Sequence, residues 1–220
     1  MIRLRSGRSE VALHTLSERE GPKLLALHEL QGCAQDFVGI AEAWPGSVYA
    51  LDFSGHGASD WLAGRAYSAE RWAEDADAAL GHLQGAYLIG RGVGATAALL
   101  LAGARPDKVP AIYLAPGAGL HACGEHPDAT RVAEDRAFLK KCLEVASMQD
   151  ESGPDPFVIE TESHHRTRRY ALGFAERAGK VLLGEDGSDR PAWWDAIRAC
   201  ANVEAAPVDE VAALALLGLR

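Results

Sequence analysis

The sequence predicts an α/β fold in which helices cover both faces of a mostly parallel sheet. Short β-like runs alternate with runs of helical spacing along the chain, which is typical of a parallel sheet wound with helices. No segment repeats, and no low-complexity linker divides the 220 residues. With 48% hydrophobic and 24% charged residues, the composition is that of a globular domain and excludes disorder, collagen and coiled coil.

Seven short runs indicate strands, and we expect a central sheet of about eight. Ser9–Leu16 alternates between apolar and polar residues, as a half-buried strand does. Lys23–Leu27 is a compact apolar run, which favours a strand covered on both faces. The other predicted strands are Ser47–Phe53, Ala86–Ile89, Val109–Ala115, Lys180–Leu183 and Val203–Ala205.

Helices are predicted between these strands. Ser68 is a suitable cap for a helix whose apolar residues recur at helical spacing from Trp72 to Leu83. Ala95–Ala104 is almost entirely apolar, so this helix should be buried on all sides. The remaining predicted helices are Asp36–Trp44, Ala192–Cys200 and Val208–Leu217.

A long insertion separates the predicted strands that end at Ala115 and begin at Lys180. It contains a charged helical stretch, an acidic loop at 149–156 and the basic run His164–Arg169. More than 60 residues are too many for a plain connection between core strands. We therefore predict one domain over 1–220, with a small helical lid at 117–179.

Charge and apolar content restrict the location and the partners. The chain has 31 acidic and 22 basic residues, a formal charge of −9, which disfavours binding to nucleic acid or anionic lipid. No apolar run approaches the ~20 residues of a membrane span. Residues 1–6 have no apolar signal-peptide core, and the four cysteines show no framework spacing. We expect a cytoplasmic protein, and the excess of Arg over Lys favours a bacterial source.

Three motifs follow three successive predicted parallel strands. His28 follows the first, Asp52–Asp60 the second, and Gly90-Arg-Gly-Val-Gly94 joins the third to the apolar helix. This pattern resembles the α/β-hydrolase fold of esterases and lipases, in which the corresponding motifs are His-Gly, Asp-x-x-Gly-x-Gly-x-Ser and Gly-x-Ser-x-Gly. The second motif matches completely, and the order of elements matches best from about 24 to 116.

The resemblance places Gly92 where those enzymes carry the nucleophilic serine. The glycine frame of the turn is kept, because strand and helix backbones nearly touch there. Gly92 has no atom that can attack a substrate, and Thr96, one turn into the helix, should face away from the site. The sequence therefore identifies no catalytic residue at the elbow.

The other two members of a serine-hydrolase triad are also missing from their expected positions. Counting along the chain puts the acid at Gly187, although Asp186 or Asp189 lies close by. The loop that should carry the base passes directly from Asn202 to the last helix, and no histidine follows His165. Without nucleophile and base, acyl transfer by the usual route is unavailable.

The resemblance implies a vacated ligand pocket above the sheet. The backbone N–H groups of Leu30 and Val93 correspond to the oxyanion hole, but Glu29 replaces the usual glycine and opposes a developing negative charge. One hypothesis is that Glu29 and Arg91 form an ion pair in this pocket, and the alternative is that both point to solvent. The predicted pocket residues are His28, Glu29, Leu30, Trp61, Arg91, Gly92 and Val93.

For the other reactive side chains, the sequence favours a structural role over a catalytic or binding one. Cys33 is a candidate displaced nucleophile, but a small packed residue is the preferred interpretation. His28 and His56 should fix loop geometry rather than act as bases. For the basic run that begins at His164, the preferred interpretation is the solvated start of a lid helix, and the alternative is an anion-binding site. His121, Cys123 and His126 are a weak zinc candidate, and a polar loop is preferred because their spacing fits no zinc template.

These observations predict a catalytically degenerate α/β-hydrolase-fold protein. It would bind a small apolar or amphipathic molecule or a protein partner, with no cofactor and no metal, and a homodimer stays open. The alternative is an active hydrolase or lyase that uses a relocated residue, namely Cys33, His164 or Glu29.

Overall fold

The computed structural model describes residues 1–62, 67–117, 119–120, 168–185 and 192–218. Within these residues the chain forms a sheet in the order β1-β2-β4-β3-β5-β6-β7-β8. β1 and β2 pair antiparallel, β2 also pairs antiparallel with β4, and all other pairs are parallel. The strands are β1 Ile2–Ser6, β2 Ser9–Ser17, β3 Leu24–Leu27, β4 Val48–Asp52, β5 Tyr87–Arg91, β6 Ala111–Ala115, β7 Lys180–Gly184 and β8 Val203–Ala206.

Helices lie on both faces of this sheet, as predicted. One face carries two long helices and two short ones in a single apolar cluster with the strands, and the other carries the last helix and a 3-10 helix. The helices are the 3-10 helix Ala34–Ile40, α1 Ala69–Leu83, α2 Val93–Ala104, α3 Arg168–Ala175, α4 Ala192–Ile197 and α5 Glu210–Leu217. In the described part of the chain, no helix is long and apolar enough to cross a membrane.

The helix signals in the sequence act as expected. The Ser68 hydroxyl accepts a hydrogen bond from the Arg71 backbone nitrogen at 3.2 Å and so caps α1. Trp72 and Leu83 lie on the buried face of this helix. α2 is buried from Val93 to Gly103, because its almost wholly apolar sequence offers no face for solvent.

Two elements differ from the prediction. β1 was not predicted, since its five residues include Arg3 and Arg5. In the structure Ile2 and Leu4 pack against the core while the two arginines face outward, so β1 is an amphipathic edge strand. The helix expected over 36–44 is a 3-10 helix that ends at Ile40 and leaves Val38 exposed.

The parallel strands bring the three sequence motifs to one edge of the sheet. β3, β4 and β5 are neighbours, and all three end at this edge. His28 follows β3, Asp52 ends β4, and Gly92 lies between β5 and α2. This carboxyl edge is where α/β sheets bind ligands. Of the predicted lid, residues 121–167 lie outside the described residues, so the lid stays a prediction.

Candidate functional site

Gly92 forms a sharp turn between β5 and α2. Its backbone angles are φ 54° and ψ −123°, a conformation that side chains rarely adopt without strain. A β-carbon at Gly94 would collide with the carbonyl oxygens of Leu27 and His28, so this position accepts no side chain. The chain therefore keeps the tight elbow on which a nucleophile is displayed, but displays only backbone there.

The connection that would carry a catalytic histidine is very short. β8 ends at Ala206 and α5 begins at Glu210, and Asp209 caps the helix by accepting from the Ala212 nitrogen at 2.8 Å. The Tyr113 hydroxyl lies 2.9 Å from the Pro207 carbonyl oxygen and 3.1 Å from that of Val208. This connection holds no histidine, and Tyr113 fixes its path.

Arg91, next to the elbow, has a different partner from the one predicted. Its Nε and Nη2 donate to the two carboxylate oxygens of Glu210 at 2.5 and 2.6 Å, and its Nη1 donates to the Asp36 carbonyl oxygen at 3.1 Å. The guanidinium also lies 4.2 Å from the centre of the Phe37 ring. The hypothesis of a Glu29–Arg91 contact pair is therefore corrected, because Glu210 holds the guanidinium.

Glu29 nevertheless acts on this region. It contributes, after Glu210 and Asp36, to the interactions that raise the pKa of Arg91 against the opposing effect of burial. A β-carbon built on Gly117 would lie 2.5 Å from Glu29 Oε2 and 2.9 Å from the Gly92 nitrogen. A carboxylate thus lies beside the elbow, in the region where the esterases and lipases that the sequence resembles stabilise an oxyanion.

The segment after β6 lies close to the elbow. The Gly92 nitrogen donates to the Ala115 carbonyl oxygen at 3.1 Å, which draws this segment to the elbow. A β-carbon on Gly119 would lie 2.9 Å from Val93 Cβ, 3.5 Å from the Val93 nitrogen and 3.2 Å from Leu30 Cβ. Gly117 and Gly119 therefore lie against the elbow and Leu30, with too little room for a side chain at either glycine.

His28 and His56 are structural, as the sequence predicts. The His28 Nε2 accepts from the Phe53 nitrogen at 3.1 Å, and its Nδ1 donates to the Glu29 carbonyl oxygen at 2.7 Å. The His56 Nε2 accepts from the Gln31 nitrogen at 3.2 Å. Burial lowers the pKa of both imidazoles, that of His56 well below its usual range, so both rings are neutral. Neither is placed to act as a base.

Asp52 organises the loops around the site. Its carboxylate accepts from the Ala34 nitrogen at 2.7 Å and from the Ala58 nitrogen at 2.9 Å, and His14 Nε2 lies 2.8 Å from it. Sequence reasoning identified Asp52 and missed His14. The missing signal was the register of β2, which places His14 against the end of β4 only once the sheet is assembled.

Cys33 is not an activated nucleophile. Its backbone nitrogen donates to the Asp36 carboxylate at 2.8 Å at the start of the 3-10 helix, and the side chain is half-buried rather than fully packed. Burial, with the nearby charges of Asp36 and Asp52, raises the pKa of its thiol. The thiol is therefore protonated near neutral pH and has no imidazole partner among the described contacts.

The remaining predicted site residues fall elsewhere. Trp61 lines a cavity of about 480 Å³ whose described lining includes none of the residues around Gly92. Among the described residues, no group of three or more His, Cys, Asp or Glu could hold a metal ion. The candidates Asp186, His121, Cys123, His126 and His164 all lie outside the described residues.

Comparison with solved structures identifies the fold. The chain matches a hydrolase from Pseudomonas aeruginosa at 16% identity and TM-score 0.76, each chain covered to 98%. An esterase from Exiguobacterium antarcticum matches at 14% identity and TM-score 0.71, over 94% of this chain and 90% of the esterase. The bottromycin epimerase BotH, solved with bottromycin A2, matches at 19% identity and TM-score 0.68, over 99% and 96%.

Comparison by sequence finds no match for the chain. It matches no protein-family model and no curated protein. The three structural neighbours named above are each under 20% identical to the chain, and each match covers nine-tenths or more of both chains. The chain has the α/β-hydrolase fold.

Proposed function

We propose that this protein binds a ligand or partner at the carboxyl edge of its sheet and has no serine-hydrolase activity. The observation that carries the proposal is Gly92, which has the backbone of a nucleophile elbow and no side chain. The ligand is a small apolar or amphipathic molecule held at the elbow, or a protein partner takes its place.

Two further features support the loss of acyl transfer. The three-residue connection before α5 contains no histidine, and Arg91 is held by Glu210 at the start of α5. Glu29 puts a carboxylate beside the elbow, and this negative charge opposes the charge that an oxyanion would develop there. Losing members of a triad costs several orders of magnitude in rate.

A second candidate function is an enzyme that uses Glu29. Its carboxylate lies beside the elbow, and carboxylates serve as general acids and bases when they are held against a substrate. The structural neighbour BotH is an epimerase, so the fold also accommodates a reaction other than hydrolysis. Cys33 has no support as the relocated nucleophile, and His164 stays an untested alternative.

Active-site labelling tests the proposal. The purified protein is treated with a fluorophosphonate probe and assayed with short-chain nitrophenyl esters, before and after Gly92→Ser. We expect no stoichiometric labelling and background turnover in both forms, because a restored serine still lacks a base. Stoichiometric labelling of the unmodified chain would refute the proposal. Turnover that disappears in Glu29→Gln would establish the second candidate instead.

Thermal shift separates the two forms of the binding proposal. Medium-chain fatty acids and their methyl esters are titrated, with melting temperature as the readout and native mass spectrometry of the untreated protein for a co-purified small molecule. A saturable rise supports an apolar ligand. An unchanged melting temperature, together with no co-purified small molecule in the mass spectrum, favours a protein partner.

A further inference from the structure

The outer face of the last helix, α5, consists of apolar side chains. The helix buries Ala213, Leu214 and Leu217 against β6 and β7. Its other residues after Glu210 are exposed and form what we call the α5 patch: Val211, Ala212, Ala215 and Leu216. A surface helix ordinarily presents charged or polar residues to solvent, and a helix that is apolar on all sides is normally covered. The outer face of α5 therefore has the composition of a buried surface.

Exposed apolar side chains are concentrated around this patch. In the described part of the chain five large apolar residues are exposed, and four of them belong to α5, to the connection before it or to the 3-10 helix on the same face of the sheet. These four are Val38, Val208, Val211 and Leu216. Arg91 contacts both the Asp36 carbonyl oxygen and the Glu210 carboxylate, so the 3-10 helix and the start of α5 are neighbours. Grouped exposure of this kind marks an interaction surface, whereas single exposed apolar residues do not.

The two ends of the α5 patch differ in charge. Asp36 and Asp209 are exposed near the N-terminal end, where Glu210 is paired with Arg91. At the C-terminal end the Lys180 ammonium lies 3.5 Å from the Leu216 carbonyl oxygen and 3.4 Å from the Glu204 carboxylate. One end is therefore acidic, and the other holds a lysine and an acid that balance each other.

This difference favours a second copy of the chain in antiparallel orientation. In a parallel pair of α5 helices the acidic ends would face each other and repel. In an antiparallel pair each acidic end meets the end that carries Lys180, and the helix dipoles are also opposed favourably. Between the two ends the patch holds no charged side chain, so no like charges meet across a twofold axis.

We propose that the α5 patch is the interface of a homodimer, in which two α5 helices pack antiparallel across a twofold axis. Val211 with Ala215, and Ala212 with Leu216, form two ridges of residues spaced four apart, each with one large and one small side chain. The large residues of one copy then fill the space above the alanines of the other. The patch supplies only the apolar centre of an interface, so the dimer dissociates in the micromolar range. This interface goes beyond the function proposed for the elbow and does not depend on it.

Sedimentation equilibrium of the purified chain tests the interface. Over concentrations from about 1 to about 200 µM, the average mass should rise from that of one chain toward twice that value. The double variant Val211→Glu, Leu216→Glu places like charges on both sides of the axis, so its dissociation constant should rise at least about 100-fold and it should stay monomeric. Lys180→Gln removes the positive charge that each acidic end meets, and should weaken association about threefold.

His82→Glu is the matched control, because it also adds an exposed carboxylate to a helix but lies on α1, on the opposite face of the sheet. It should associate like the unmodified chain, and thermal denaturation of every variant excludes unfolding as the cause of a loss. A chain that stays monomeric at about 200 µM would overturn the proposal and leave the patch to a different protein. Association that the double variant does not weaken would place the interface elsewhere, and unchanged association of Lys180→Gln would contradict the antiparallel orientation.

Discussion

Arg91 and Glu210 join two parts of the chain that are 119 residues apart, with Nε–Oε1 and Nη2–Oε2 distances of 2.5 and 2.6 Å. Both side chains are largely buried, with 22% and 16% of their surfaces exposed. Arg91 ends β5, the strand that leads to the elbow, and Glu210 begins α5. The pair thus ties the start of α5 to the elbow.

This pair should contribute measurably to stability. Glu210→Gln leaves the guanidinium short of its partner charge in a largely buried position, so the free energy of unfolding should fall by about 2 kcal/mol. Urea denaturation measures the change. Glu18→Gln, at an exposed carboxylate, is the control and should shift the free energy by less than about 0.5 kcal/mol. Equal effects of the two substitutions would show that the pair is not stabilising.

The elbow should tolerate no side chain at Gly94. A methyl group there collides with the backbone carbonyls of Leu27 and His28, which cannot move without distorting β3. Gly94→Ala should therefore destabilise the protein by about 3 kcal/mol.

Gly81→Ala in α1 is the matched comparison for that substitution. Nothing lies within 4 Å of a β-carbon at Gly81, so the change should stabilise the helix by roughly 0.5–1 kcal/mol. Both variants are compared by chemical denaturation. A neutral Gly94→Ala would mean that the turn is looser than the structure shows.

Acid should destabilise the protein through its buried histidines. Burial lowers the pKa of His28 and His56, so the folded chain binds fewer protons than the unfolded chain below the ordinary histidine pKa of about 6.5. Stability is thus present above this pH and is lost as the pH falls, by up to about 1.4 kcal/mol per pH unit for each ring. Asp75, whose pKa burial raises, offsets part of the loss at lower pH.

Denaturation curves between pH 7.5 and 5.5 test this dependence. His56→Gln should flatten the slope, because one of the two buried rings no longer titrates. His82→Gln, at an exposed position on α1, should leave the slope unchanged. A slope that is identical in all three proteins would contradict the assignment of buried, neutral imidazoles.

Cys33 should react slowly with thiol reagents. Its raised pKa keeps the thiolate fraction below that of a free cysteine, and only the thiolate attacks. The contribution of Cys33 to alkylation by iodoacetamide is obtained by comparing the unmodified chain with Cys33→Ser. At pH 7 the alkylation rate of Cys33 should be lower than that of a cysteine in a short peptide. A faster rate would restore Cys33 as a candidate nucleophile.

The sequence predicted the sheet, the elbow and the structural role of the motif histidines because each depends on a local signal. Gly92, His28 and Asp52 occupy positions that strand order and motif spacing define on their own. The partner of Arg91 was missed because Glu210 is adjacent only after β8 and α5 have packed. His14 was missed for the same reason, since its neighbour is decided by antiparallel register across the sheet.

The three residues between β8 and α5 also limit what protein engineering at the elbow can achieve. A serine introduced at position 92 would find no histidine in this connection, whose path is held by the hydrogen-bonding distances of the Tyr113 hydroxyl to the Pro207 and Val208 carbonyl oxygens. A designed general base would therefore need an insertion that displaces this contact, whereas a designed nucleophile needs one codon.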